Sequence, residues 1–450
     1  MDQRGGSGRP AGLRCGWGVR WRGGPELRHR GVVGARRLRH LPPFPPPACP
    51  ARCGGRAVTT LWQNQETGPA IHVLVIGVGR YDYFNGGSKH QARAGTLAKG
   101  LGQLTAPPAS AYEVCVTLLK ELRDVPGRAL GSIEAVISAE DPQLPPGFAD
   151  LFPDTGNEIG TTAELEDVKE AFERWYERCD SDRGNVALFY FCGHGLQLGA
   201  YGDHALLLQD TRASRFAAFE NSIDVRGTVQ SMQGNRAAIQ CFFLDACRGS
   251  QDVDVTLRSL KSTALGPELH ISHDPEQLVV YSTGSGAPAH GRTGESTLFT
   301  RSFLKALFSP EHRRDGQGWQ VTTTSVGTAI DQLMQWPGLR HRSMPEQQCV
   351  TSSTNVRGGV LLRFTNRPQV SFHFDTAPTD ALATAAWSLA DLRGNQVASR
   401  MPGPEPWIDS GPAGEGDLHV AFADGPYSTT SQQVWLQPPC FHHTVQVDVS

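Results

Sequence analysis

Long apolar runs are missing from this sequence. No stretch of 18 apolar residues occurs in the 450-residue chain, so no membrane-spanning helix is expected. Charge of one sign is missing too. Lys and Arg number 42 against 45 Asp and Glu, a formal net charge of −3, which argues against both a nucleic-acid coat and an acidic tail protein. Cysteine is sparse: ten residues, scattered. That excludes a small disulfide-stapled scaffold and suits a reducing, cytoplasmic setting. No apolar segment follows the first arginines, so a secretory signal is not expected. Hydrophobic residues reach only 39%, while 50 Gly and 31 Pro amount to about 18% of the chain, above the roughly 12% of ordinary chains. Loops or a disordered segment are expected to account for the excess.

The charge that cancels overall is unevenly placed. Residues 1–60 hold twelve Arg, among them Arg36, Arg37 and Arg39, no Lys, twelve Gly and eight Pro, with Asp2 and Glu26 the only acids. Such a segment buries too little apolar surface to offset its ordering entropy, so residues 1–67 are expected to form a disordered Arg/Gly/Pro-rich tail. Pro42–Pro47 would suit a polyproline II ligand. The arginines could meet nucleic acid or lipid head groups. The plainer reading is preferred: a solvated tail, or a stretch translated upstream of the true start, with no nucleic-acid partner. Cys49 and Cys53 lack a matching downstream pair, so zinc is not expected.

From residue 68 onward, strand and helix signals alternate. Ile71–Val78 is nearly continuous apolar sequence, the signature of a strand buried on both faces. Helical spacing follows over Ser110–Leu122, with Ser110 suited to the N-cap. Further strands are expected at Ser132–Ser138, Asn185–Phe191, Ala238–Leu244 and Gln277–Tyr281. Helices are expected at Ala163–Cys179, opened by a capping box from Thr161 to Glu164, and near Ser222–Met232, Leu298–Phe308 and Ser325–Gln335. A hairpin joins Leu196–Leu198 to Ala205–Leu208. Strands at Gln348–Val350 and Val360–Phe364 close the unit. This predicts an α/β domain over residues 68–365: a mostly parallel six-stranded sheet flanked by helices, with ligands at the carboxyl ends of the strands. Residues 366–450 show short alternating runs such as Val370–Phe374, with turn residues between them, and predict a small antiparallel β-sandwich.

Two strand ends carry the chemistry. Gly193-His194-Gly195 follows the third strand and Asp245-Ala246-Cys247-Arg248-Gly249 follows the fourth. Adjacent strand ends would bring a His and a Cys together on the ligand edge. The thiolate is a strong nucleophile, and an imidazole can take its proton and return it to a leaving amine. The flanking glycines allow a substrate backbone close approach, and the N–H groups of Gly195 and Cys247 could face a developing oxyanion.

At these motifs the chain resembles the caspase and metacaspase superfamily of cysteine peptidases, over about residues 68–365. Tyr281-Ser282-Thr283 and the Gly294–Thr300 segment support the resemblance. It implies a dyad in which His194 is the general base and acid and Cys247 the nucleophile. It also bears on specificity. Caspases carry Gln two residues before the nucleophile and hold a P1 aspartate with arginines, whereas metacaspases carry Asp there and cut after Arg or Lys. This chain has Asp245, so cleavage after a basic P1 residue is expected through a charge-assisted pair. Against this stands Arg93, whose Arg93–Thr96 segment looks like the caspase loop that supplies an S1 arginine and would favour an acidic P1. The linker Gly249–Glu276 is often cut in relatives, which makes Arg258 and Lys261 candidate self-cleavage sites.

Other candidates are weaker. Gly77-x-Gly79 fails as a dinucleotide fingerprint, because Asp82 takes the third glycine position. Cys115, Cys192 and Cys241 read as packing residues, and His442-His443 as surface histidines. No cofactor is expected and no metal site can be assigned; calcium activation, known in some metacaspases, stays open. Three functions compete. The first is an endopeptidase acting on protein or peptide substrates. The second is a peptidase-like scaffold whose catalysis is latent or dispensable. The third is nucleic-acid binding through residues 1–60. The first is preferred, because a pure scaffold has no physical need for both His194 and Cys247. The ligand of the C-terminal domain is not legible.

Overall fold

The computed structural model describes residues 59–64, 68–90, 101–125, 127–140, 144–153, 162–198, 203–214, 216–248, 261–284, 292–312, 318–340, 345–422 and 425–449. The expected tail up to residue 58, with its cysteines and prolines, lies outside them.

In chain order the first part contains β1 (Thr60–Gln63), β2 (Ile71–Val78), α1 (Ala106–Leu122), β3 (Leu130–Ser138), α2 (Phe148–Leu151), α3 (Leu165–Asp180) and β4 (Val186–Gly193). A small meander of β5 (Gly195–Leu198), β6 (Asp203–Leu207) and β7 (Ser222–Asp224) follows, then α4 (Val225–Ser231), β8 (Ile239–Ala246) and β9 (Glu276–Tyr281). The unit closes with α5 (Leu298–Leu307), β10 (Glu311–His312), β11 (Trp319–Thr322), α6 (Val326–Gln335), β12 (Val350–Thr354) and β13 (Val360–Phe364).

One seven-stranded sheet runs in the order β1-β3-β2-β4-β8-β9-β12. The five inner strands are parallel, and the two edges, β1 and β12, are antiparallel. The expected six-stranded, mostly parallel sheet is therefore corrected to a mixed seven-stranded one. The periodicity of β2 explains its central place. Ile71, Val73 and Val75 enter one core, while Leu74, Ile76 and Val78 enter the other, each fully buried side chain being worth about 1.5–3 kcal/mol. Helices α1, α5 and α6 cover the first face and α3 the second, through Val168, Phe172 and Trp175.

Several boundaries differ from the sequence pattern for physical reasons. Composition places Thr60–Gln63 in the tail, yet it forms edge strand β1. Beneath it the fully buried Glu134 accepts hydrogen bonds from Thr59 Oγ1 (2.9 Å) and Thr60 Oγ1 (2.6 Å) and pairs with Arg174 (3.2 Å) and Arg178 of α3. Helix α1 starts four residues before Ser110, because prolines are tolerated in a first turn. Ser110 is inside the helix and accepts from the Thr297 N–H instead (3.1 Å). Helix α3 is capped by a reciprocal Glu164–Asp167 box rather than by Thr161, which is outside the described residues. The Ser222–Met232 helix divides into β7 and α4, since Ser222–Asp224 pairs with β6. The strand expected at Gln348–Val350 starts at Val350, and β13 joins β10 and β11 in a separate sheet.

The last part holds β14 (Gln369–Ala377), β15 (Ala385–Asp391), β16 (Gln396–Arg400), β17 (Trp407–Pro412), β18 (Gly414–Phe422), β19 (Thr430–Leu436) and β20 (Cys440–Gln446). A three-stranded sheet, β17-β14-β20, and a four-stranded one, β16-β15-β18-β19, share one core of Phe372, Phe374, Trp387, Trp407 and Leu418 among others. The pairing is not wholly antiparallel: β14 and β20 run parallel, because the chain returns to the edge of the strand that opened the unit. Helix α5 touches this part through Lys305 Nζ, which donates to Ser371 Oγ at 2.6 Å.

Candidate active site

β4 and β8 lie side by side, with Gly193 opposite Ala246. His194 and Cys247 are each one residue further on, so the two strands deliver them at one sheet edge. How tightly these strand ends approach shows at Gly195. A Cβ there would sit 2.6 Å from the Cys247 carbonyl oxygen and 2.9 Å from the Ala246 Cβ, so glycine is required by space rather than by backbone angle.

His194 is held on three sides. Its backbone N–H donates to Tyr81 Oη at 2.7 Å. Its ring lies 4.7 Å from the Tyr81 ring and 6.1 Å from Phe84. Its Nε2 is 2.9 Å from the Gly102 carbonyl oxygen. A carbonyl can only accept, so Nε2 carries the proton and the neutral ring keeps its lone pair on Nδ1. Burial holds the His194 pKa below its ordinary 6.5, opposed by the bond to Gly102. The ring is therefore a neutral base at pH 7.

Cys247 is a partly buried thiol outside any disulfide. Its carbonyl oxygen accepts from His204 Nε2 at 3.1 Å. His204 belongs to β6, is 2% exposed and tilts against the Tyr281 ring at 5.6 Å. The Arg248 guanidinium lies 4.2 Å over that same ring. Gly195 opens β5. Leu207 donates to the His194 carbonyl and Gly195 stands opposite Leu206. Gly195 thus occupies the non-hydrogen-bonded position of the ladder, and its own N–H turns away from β6.

Asp245 is buried beneath the site, on the face covered by α1 and α5. Its carboxylate accepts from Thr300 Oγ1 at 2.9 Å, from Thr297 Oγ1 and from the Cys192 thiol at 3.6 Å. Burial raises its pKa, while the Thr297 and Thr300 hydroxyls pull it back. No described Lys or Arg forms an ion pair with it. Lys261 is exposed, just before Thr263, which is tied to Ser222 and Asp224 by backbone bonds. Arg93 and Arg258 lie outside the described residues. Among the described residues, no group of three or more His, Cys, Asp or Glu is arranged to hold a metal ion.

Tyr81, Gly102 and His204 complete the site without a sequence motif to mark them. Tyr81 had one usable signal, an aromatic directly after a ligand-edge strand. Gly102 and His204 act through single hydrogen bonds involving backbone carbonyls and leave no spacing pattern.

Residues 148–357 match the Peptidase_C14 family model, the caspase domain. This part of the chain is caspase-like. The matched part of the caspase-like domain includes His194, Asp245 and Cys247. Among curated proteins it is similar to the uncharacterized protein y4kE of Sinorhizobium fredii, 25% identical over 231 residues, which cover 50% of this chain and 65% of that relative's length. Among solved structures it is similar to protein GSU0716 from Geobacter sulfurreducens, at 13% identity and TM-score 0.37, with 64% of this chain and 94% of that chain covered. It is also similar to caspase-1 from Spodoptera frugiperda, at 12% identity and TM-score 0.38, covering 67% and 94%. No helix among the described residues of the chain is long and apolar enough to cross a membrane.

Proposed function

We propose that this chain is a cysteine endopeptidase working through a Cys247–His194 dyad. The observation that carries the reading is the 2.9 Å contact of His194 Nε2 with the Gly102 carbonyl, which leaves Nδ1 as the ring's free lone pair, at the end of the strand paired with the one that leads into Cys247. Nδ1 takes the Cys247 thiol proton as the sulfur attacks the peptide carbonyl carbon. The Gly195 and Cys247 N–H groups receive the negative oxygen. The tetrahedral intermediate then expels the amine, which takes the proton from His194. Water, deprotonated in turn by His194, cleaves the thioester and frees the thiol.

Asp245 supports a preference for Arg or Lys at P1. Its buried carboxylate lies beneath the site among hydroxyls and a thiol, and a guanidinium entering from substrate would meet it in a charge-assisted pair. Arg93 is the competing determinant and would select an acidic P1. Substrates are proteins or peptides, and the setting is cytoplasmic. The C-terminal sheets, read as a sandwich, position substrate or localise the enzyme.

The test is hydrolysis of paired fluorogenic peptides that differ only in Arg or Asp at P1, with Cys247→Ala as the blank, in calcium and in chelator. Cleavage after Arg alone, abolished in Cys247→Ala and in Asp245→Asn, is expected. Cleavage after Asp would transfer the specificity role from Asp245 to Arg93. A folded, reduced chain silent on both would favour the scaffold reading.

A further inference from the structure

We propose that His204 is a positioning residue for the nucleophile: its Nε2–H, donated to the Cys247 carbonyl, pins the peptide group on the C-terminal side of the reactive cysteine. This rests on the peptidase reading above and adds to it a residue that does not touch substrate.

The peptide group before Cys247 is already fixed, since Ala246 is the last residue of β8 and stands in register with Gly193 of β4. The group after it has left the ladder and needs another restraint. His204 supplies one from a different sheet. Its Nε2 is 3.1 Å from the Cys247 oxygen, and since that oxygen can only accept, the ring is in its Nε2–H form. Nδ1 is buried with no hydrogen-bond partner among the described residues, so the bond to Cys247 is what the ring's polarity provides. An apolar side chain would fill the same 2%-exposed position against the Tyr281 ring without burying a vacant nitrogen.

The contact has no slack. The Cβ position of Gly195 is 2.6 Å from both His204 Nε2 and the Cys247 oxygen, so the donor, the acceptor and the Gly195 backbone are stacked against one another. Burial and the nearby Arg248 hold the His204 pKa down at about 4, which keeps the ring neutral at the pH where His194 works. With both flanking peptide groups fixed, Sγ and the Cys247 N–H keep their aim at the reacting carbonyl. An error of about 1 Å in such placement can cost on the order of a hundredfold in rate.

Two substitutions separate polarity from packing. His204→Phe keeps a ring against Tyr281 and removes the donor; His204→Gln restores an N–H that can reach the same carbonyl. The expected result is a kcat lower by about tenfold or more in His204→Phe with KM within about twofold, and recovery of most of that loss in His204→Gln. The second-order rate of Cys247 alkylation by iodoacetamide should fall and recover in parallel, with thermal midpoints near wild type. Equal losses in both variants, or full activity in His204→Phe, would overturn the proposal. Imidazole nitrogen chemical shifts of the wild-type chain test the same bond where no variant folds: the Nε2–H tautomer of His204 supports it and the Nδ1–H tautomer refutes it. Wild-type silence on every peptide would fail the peptidase reading alone, because alkylation and tautomer still report on His204.

Discussion

At the scale of single residues, the site is governed by which nitrogen of a ring carries a proton. The Gly102 carbonyl decides it for His194, and burial lowers the pKa of that ring below 6.5. A general base must be deprotonated, and a lowered pKa means that this occurs at lower pH. The acid limb of kcat/KM is therefore expected to have its midpoint below pH 6.5, with a plateau through neutrality. A midpoint at or above 6.5 in a pH–rate profile would contradict the burial of His194. Gly195→Ala is expected to lower kcat by about tenfold or more while far-UV circular dichroism stays unchanged, since the new methyl would meet the Cys247 oxygen at 2.6 Å. Undiminished turnover would mean that β5 can shift at no cost. His194 and Cys247 were legible in the sequence because each ends an unmistakable apolar strand in a short distinctive motif. Tyr81, Gly102 and His204 were not, because what they contribute is a position in space, reached from loops and a meander whose register no periodicity announces.

At the scale of elements, the buried strands were legible and the edges were not. β2 and β8 are apolar on both faces, whereas β12 is exposed at all five positions and β1 has one fully buried side chain. What holds β1 lies beneath it, in the Glu134 cluster with Arg174, Arg178, Thr59 and Thr60. Removing one member of a buried pair leaves an uncompensated charge or an empty polar site, so Glu134→Ala is expected to destabilise the chain by about 3 kcal/mol. That is the low end of the usual range, because the Arg174 side chain is 38% exposed and can recover water. Urea unfolding measures it; a midpoint unchanged from wild type would show that β1 is held by its ladder alone. The same edge carries another lesson. Ser110 has the chemistry of a cap, yet it caps nothing, since Pro107 and Pro108 extend the helix upstream and its hydroxyl serves the start of α5.

At the scale of the whole molecule, the peptidase reading makes the chain its own first substrate. Lys261 is exposed just before the anchor at Thr263. Incubation under reducing conditions is expected to give two fragments by intact mass, cut after Arg258 or Lys261, with no cut in Cys247→Ala. A fully active chain of unchanged mass would remove self-processing from the account. The border near residue 365, plain in composition, is less of a border in space. Helix α5 begins at the Asp245 carboxylate, through Thr297 and Thr300, and reaches Ser371 of the C-terminal sheets through Lys305. Ten residues at 1.5 Å each make a rod of about 15 Å. One continuous helix thus carries at its start the hydroxyls that meet the Asp245 carboxylate, and near its end the lysine that meets the C-terminal sheets.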